Sequence, residues 1–365
     1  MATTLTIEPT PLSFQHVPEH LNGSSGQDTA VEEKEKKLNN GERHDVSTLI
    51  NYYKDPGDGS APMPIRISDK TVKNERPSVA HPTIVRDITG EEGKYTLDAH
   101  GFQHCRRGSR LSGREDFEDA EKVKRVYYRE CEELLRDVTG APRVLIFDHK
   151  TRYGPSNWHK LGENNRAARG PLLRAHVDQS YEGAEIVLRR HLSSVREKKA
   201  DEEGEGEEET ETEAEERLRL GRRWMIVNIW RPIKTIYKDP FAVADGTSIS
   251  DADLVAAQIL YRDGSRDETW TILPPSPPSP SSPASSTTLR EDDDEEEEDE
   301  RTKTTHRWYF KYAQTPAEVL LIKCFDSSAG VPARRAPHSA FTDPAHEDGE
   351  SRESIEARAL VLFDE

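Results

Sequence analysis

Apolar positions along this chain change period several times, and each period predicts an element. From about Glu115 to Val138, the residues Phe117, Ala120, Val123, Tyr127, Cys131, Leu134 and Leu135 recur at helical spacing and form one stripe. A helix is predicted there, ended by Gly140 and barred from continuing by Pro142. Such a stripe is better explained by core packing than by a ligand site. Arg143–Asp148 then reads as a buried strand. Upstream, Thr83–Ile88 and Tyr95–Asp98 read as two strands with a turn over Gly90–Gly93. Further strands are predicted at Ile186–Leu188, Trp224–Trp230, Arg307–Phe310 and Val319–Phe325. Ser250-Asp251-Ala252-Asp253 resembles a capping box, with Asp in place of the usual Glu or Gln, and predicts a short helix through Leu254 and Ile259. In a last strand from about Arg352 to Phe363, Ile355, Ala357, Ala359 and Val361 share one face. Arg352, Ser354, Glu356 and Arg358 share the other.

Between these elements the polar stretches set the domain organisation. Residues 1–45 are polar, charged and Gly/Ser-bearing, and are expected to lack fixed structure. Order is expected from Val46, Leu49, Ile50, Tyr52 and Tyr53 onward, giving a single domain over 46–365. Two insertions are expected within it, an acidic one at 196–217 and a Pro/Ser-then-acidic one at 274–303. Glu197–Glu216 carries 12 acids against two lysines, and Glu291–Glu300 is wholly acidic. Together these runs outweigh the net charge of −18, so the remainder is close to neutral and the acidity says little about partners. No basic stripe with interleaved aromatics supports nucleic-acid binding, and no protein partner is evident. Cys105, Cys131 and Cys324 have no framework spacing, which predicts a reducing, cytoplasmic setting. Met1–Phe14 lacks the regions of a secretory signal, and no apolar run is long enough for a membrane span.

Many strands, few helices and two insertions predict a mainly β fold with flanking helices, built on a double-stranded β-helix (jelly-roll, cupin-like) core. In that setting His176-Val177-Asp178 is the most informative triplet. Two imidazoles and one carboxylate are the ligand set of a facial Fe(II) site that leaves positions open for oxygen chemistry. Residues i and i+2 of a strand point the same way, so His176 and Asp178 can both reach one metal. The bland alternative is a polar surface strand. A second triplet, His346-Glu347-Asp348, lies too near the C-terminus to be a proximal pair. His338 is the candidate third ligand, and His306 an alternative to it. Arg352, with Ser354 beside it, is a candidate grip for the far carboxylate of a keto-acid cosubstrate, and Arg358 competes for that role. Asn228, Trp230 and Arg231 are candidates to line a substrate pocket, with core packing the rival reading for Trp230. His149 follows an apolar strand and reads as a buried, satisfied histidine.

A wider set of segments carries a resemblance. It comprises Leu97–Phe102, Tyr127–Glu130, Thr139–Ala141, Val144–His149, His176–Ser180, Asn228–Pro232, His306–Tyr309, Phe325–Ser327, Pro337–Phe341 and Arg352–Arg358. From about Thr83 to Phe363 the chain resembles the fungal and bacterial AsaB-like hydroxylase/desaturase family. That group includes gibberellin desaturase, the aspergillic-acid pathway hydroxylase and proteins associated with cephem methoxylation. The resemblance implies an oxygenase using Fe(II), 2-oxoglutarate and O2 to hydroxylate or desaturate a small molecule of secondary metabolism. It implies His176, Asp178 and His338 as the metal ligands. Two other functions compete. A non-catalytic cupin-like protein would bind a small molecule or metal without turnover. An S-adenosylmethionine-dependent methyltransferase would need a Gly-rich strand–loop–helix turn, and no G-x-G-x-x-G occurs.

Overall fold

The computed structural model describes residues 43–191, 223–275 and 306–364. The polar segment expected over 1–45 lies outside the described residues except for its last three. The insertions expected at 196–217 and 274–303 lie outside too, except for residues 274 and 275. In chain order the first strands are β1 (Val46–Tyr53), β2 (Ile65–Ile67), β3 (Val72–Lys73), β4 (Ser78–Asp87) and β5 (Phe102–Arg106). The next five are β6 (Arg143–Arg152), β7 (His176–Val177), β8 (Trp224–Pro232), β9 (Phe241–Ala244) and β10 (Leu254–Tyr261). The last are β11 (Arg266–Ile272), β12 (Trp308–Phe310), β13 (Glu318–Asp326), β14 (His338–Ala340) and β15 (Ser354–Leu362). They form two sheets, a larger one ordered β1-β4-β12-β9-β14-β7-β11-β10-β2-β3 and a smaller one ordered β5-β13-β8-β15-β6.

All nine residues of β8 are buried, because both faces of the smaller sheet are covered. Met225, Val227 and Ile229 point outward, with Ile355, Ala357, Ala359 and Val361 of β15, into a cluster shared with helical residues. Trp224 and Ile226 point inward to an apolar cluster with Val85, Ala242 and Trp308 of the larger sheet. Trp230 joins a second inward cluster with Phe241, Val243 and Ile322. Asn228 is the one polar residue in that inward row. The interior therefore consists of two apolar blocks with a polar level between them, inside the expected jelly-roll.

The helical stripe forms, with a break. Segments α2 (Gly113–Glu118) and α3 (Ala120–Lys122) follow a first short helix, α1 (Leu97–His100), and are separated by extended Asp119. The Asp119 carboxylate caps α3 by accepting from the Glu121 and Lys122 amides. A π-helical stretch over Val123–Tyr127 leads into α4 (Tyr128–Thr139), which ends where Gly140 adopts a φ of 69°. Despite the break, Phe117, Val123, Tyr127, Cys131, Leu134 and Leu135 stay on one buried face against the smaller sheet.

Three predicted elements take another form. Tyr95–Asp98 is not a strand: the Thr96 side chain caps α1 at the Ala99 amide. Ile186–Leu188 lies inside α5 (Tyr181–Arg190), where Val187 and Leu188 are buried with Ala184. Three apolar residues fit either period, and the Ser180 cap decides. The capping box at Ser250 is present but opens only a 3-10 turn over Asp251–Asp253. Leu254–Tyr261 is a strand because it pairs along its length with β11, so tertiary pairing outweighs the local helix signal.

Candidate metal centre

Strands β7 and β14 are neighbours in the larger sheet, and His338 stands directly opposite His176 in their register. The two rings lie 4.4 Å apart, centroid to centroid. Asp178 follows two residues after His176, and its Oδ1 is 3.4 Å from His176 Nε2. One donor atom from each of His176, Asp178 and His338 falls within 4.8 Å of the others. Both imidazoles are oriented in the same way. Nδ1 of His176 donates to the Arg174 carbonyl at 2.8 Å, and Nδ1 of His338 to the Ala336 carbonyl at 3.1 Å. Each Nε2 is then left with a lone pair, as a metal ligand requires. The buried Nε2 of His338 has no hydrogen-bond partner. Asp178 Oδ2 accepts from Asn228 Nδ2 at 2.8 Å and pairs with Arg358 Nη2 at 2.7 Å, which turns Oδ1 toward the histidines.

Electrostatics favour the ligating protonation states. Burial alone would raise the Asp178 carboxyl, but Arg358, His176 and His338 outweigh it and hold that carboxyl well below the usual range. Burial, with His176 adding to it, pushes His338 down to about 4, so its ring is neutral near pH 7. The donor set, its charge states and its unpartnered nitrogen fit a divalent first-row metal.

The neighbouring motifs hold this geometry. The Ser180 hydroxyl accepts from the Gly183 amide and donates to Glu268 at 2.6 Å, which ties the turn after Asp178 to β11. Gly183 is required there, since a Cβ would lie 2.0 Å from the Glu268 carbonyl oxygen. On the other side, the fully buried Lys323 ammonium pairs with Asp326 at 2.6 Å and donates to the Ala333 carbonyl at 3.2 Å. Arg223 bridges Asp326 and Asp98. The segment entering His338 is thus clamped by residues from Leu97–Phe102 and Phe325–Ser327.

The other singled-out residues separate by strand face. Arg352 is buried, donates to the Asp239 carbonyl at 2.9 Å and lies over the rings of Trp230 and Phe241. Those rings stack on each other at 4.8 Å, and Phe241 is 5.6 Å from the His338 ring. Arg352 has no carboxylate partner among the described residues. Burial, with Arg152 nearby, pushes its guanidinium down to about 9. Both Arg352 Nε and Ser354 Oγ are buried without a partner. Arg358, by contrast, pairs with Asp178, Asp148 and Glu356. Arg231 does not face the interior, because strand alternation puts it opposite Asn228 and Trp230. Its guanidinium binds the Arg107 and Pro316 carbonyls and contacts Tyr127. His149 bonds to the Tyr128 hydroxyl at 2.8 Å, and His306 bonds to Tyr52 and Asp253. His346 belongs to a second group, with His44 and Asp343, whose donor atoms also lie within 4.8 Å of one another.

His176 and Asp178 form part of the wall of a cavity of about 140 Å³. Sequence reading missed five basic residues around it, Arg76, Lys150, Arg152, Arg169 and Arg174, which come from separate stretches and share no motif. It also missed that Asn228 and Arg358 act on Asp178. The signal available was their strand parity, since the two are paired in the β8–β15 ladder.

The family model described as oxidoreductase/YMDC permease-like domain matches residues 50–277 and 282–362. Hydroxylase/desaturase efuI of Hormonema carpetanum is 30% identical over 88% of this chain and 96% of its own length. The chain belongs to the AsaB-like hydroxylase/desaturase family. Another relative, alpha-ketoglutarate-dependent dioxygenase tstK of Talaromyces stipitatus, is 31% identical over 76% of this chain and 84% of its own. The solved iron and alpha-ketoglutarate-dependent endoperoxidase NvfI superposes with a TM-score of 0.62 at 22% identity, covering 87% of this chain and 98% of its own. That likeness shows the shared jelly-roll fold. The chain is an oxidoreductase of the non-haem iron, 2-oxoglutarate-dependent dioxygenase class. No helix among the described residues is long and apolar enough to cross a membrane.

Proposed function

We propose that His176, Asp178 and His338 hold the Fe(II), and that Arg352 with Ser354 receives the far carboxylate of 2-oxoglutarate. The reaction we assign is hydroxylation or desaturation of a small molecule of fungal secondary metabolism. The unpartnered, buried Nε2 of His338, within reach of two further donor atoms, carries this reading. The chemistry supplied by bound iron and cosubstrate is oxidation of a C–H bond, coupled to decarboxylation of the keto acid. Arg352 offers a guanidinium with no carboxylate at ion-pair distance among the described residues, and Ser354 an unused hydroxyl, which together match a carboxylate. Arg358 and Asn228 are positioning residues: they hold Oδ2 of Asp178 so that Oδ1 faces the metal. Trp230 and Phe241 wall the cosubstrate position and exclude water. All three cysteines are free thiols, which supports the cytoplasm as the compartment.

Anaerobic titration of the apo-protein with Fe(II) and then 2-oxoglutarate tests the reading. A weak visible charge-transfer band is expected on chelation. It disappears in His176→Ala and needs far more 2-oxoglutarate in Arg352→Ala. Absence of the band in the wild-type protein overturns the assignment.

A further inference from the structure

The cavity over His176 and Asp178 has a charge imbalance that the metal and cosubstrate sites do not explain. Arg76, Lys150, Arg152, Arg169 and Arg174 all line it. Its two acids are already committed: Asp178 to Arg358 at 2.7 Å and Asp267 to Arg190 at 2.6 Å. Lys150 has only Asp148, at 3.8 Å, and none of the four arginines has a carboxylate within ion-pair distance among the described residues. Their hydrogen bonds go to neutral acceptors. Arg174 donates to the Arg76 carbonyl at 2.6 Å, Arg152 to the Gly170 carbonyl at 3.1 Å, and Arg76 to the Asn74 side chain at 3.3 Å. Two buried cations elsewhere have carboxylate partners, Lys323 in Asp326 and Arg335 in Asp251, and the buried Arg231 is satisfied by two carbonyls. Burial, with nearby arginines adding to it, pushes Arg76 and Arg169 each down to about 10. The lining also includes the apolar Ile65, Ile67, Val72 and Leu172.

We infer that the substrate is an apolar-bodied carboxylate, its carboxylate gripped by Arg76, Arg174 and Arg169 and its body laid against Ile65, Ile67 and Leu172. This rests on the proposed iron site at the same cavity. Two planar guanidiniums meet a carboxylate by paired hydrogen bonds, and the low-dielectric wall strengthens them. The residue set gives discrimination: a neutral analogue leaves the cations facing each other, whereas the acid relieves them. Arg352 is not among the residues that line this cavity, so the proposed cosubstrate grip draws on a different guanidinium.

The test uses full-length protein loaded with Fe(II) and 2-oxoglutarate without oxygen, titrated with 1-naphthaleneacetate and with its neutral amide by fluorescence. The acid is expected to bind at least about tenfold tighter than the amide. Arg76→Gln/Arg174→Gln is expected to abolish that preference and leave the chelate band intact. Arg169→Gln, a second variant, is expected to weaken acid binding severalfold. Equal binding of acid and amide, no saturable binding of the acid below about 1 mM, or a preference that survives both variants overturns the inference. So does loss of the chelate band in the double variant, which would give these cations to the cosubstrate. A missing band in the wild-type protein with acid preference retained sinks the iron assignment alone.

Discussion

Two groups of two histidines and one aspartate bring donor atoms within 4.8 Å of each other, and they are not equivalent. At His176, Asp178 and His338 the Nδ1 atoms are engaged by backbone carbonyls, one Nε2 has no partner, and a carboxylate oxygen faces them. At His44, Asp343 and His346 the donors are already engaged. His44 Nε2 bonds to Asp343 at 2.9 Å, and His346 Nε2 to the Tyr312 hydroxyl at 2.9 Å. The His44 ring lies 3.9 Å from the Tyr312 ring, and the Asp343 carboxylate also accepts the Ala345 amide. Proximity of ligand-type residues is therefore a weak indicator. Donor atoms left unused, with orientation fixed from behind, separate a metal site from a polar cluster.

Substitution sharpens the contrast. His338→Ala is expected to cut 2-oxoglutarate turnover by about a thousandfold or more, roughly 4 kcal/mol of transition-state stabilisation. A variant retaining near-normal, iron-dependent turnover breaks the comparison. Asp326→Asn leaves the buried Lys323 with only the half-exposed Asp98, at 2.9 Å, as its charge partner, and should cost about 3 kcal/mol of stability in chemical denaturation. An unchanged midpoint would mean the clamp on the His338 segment is dispensable. Arg352→Ala should raise the 2-oxoglutarate concentration for half-maximal turnover by about 30- to 100-fold, through loss of charge-assisted hydrogen bonds. Iron affinity should hold in that variant. Asn228→Ala should weaken iron binding about tenfold, within the range for groups that orient a metal ligand. Smallest of all, His346→Ala should leave iron binding unchanged and cost about 1 kcal/mol, the worth of one hydrogen bond. Loss of iron in that variant would erase the distinction between the clusters.

That His176, Asp178 and His338 come together was legible because strand geometry imposes a two-residue spacing and because the family segments are distinctive. Arg352 and Ser354 stood out as candidates by their order after His338. Reading Arg231 into the pocket conflicted with the same period of two that groups Asn228 with Trp230. Ile186–Leu188 and Leu254–Tyr261 were misread because short apolar runs fit either period, and pairing or capping outside the run decides between them. The five cations of the cavity were not legible at all. They come from the stretch before β4, from β6 and from the segment leading to β7, and nothing local tells a cavity arginine from a surface one.

Because His176 and His338 face each other across a backbone ladder, their separation is set by sheet hydrogen bonds and would not depend on an ion held there. A chain built this way differs from a zinc finger, whose folding free energy comes from its metal. Iron should add stability only through mass action on an already folded protein. When a cell runs short of iron, such an enzyme would persist as an intact, idle scaffold that regains activity once iron supply returns.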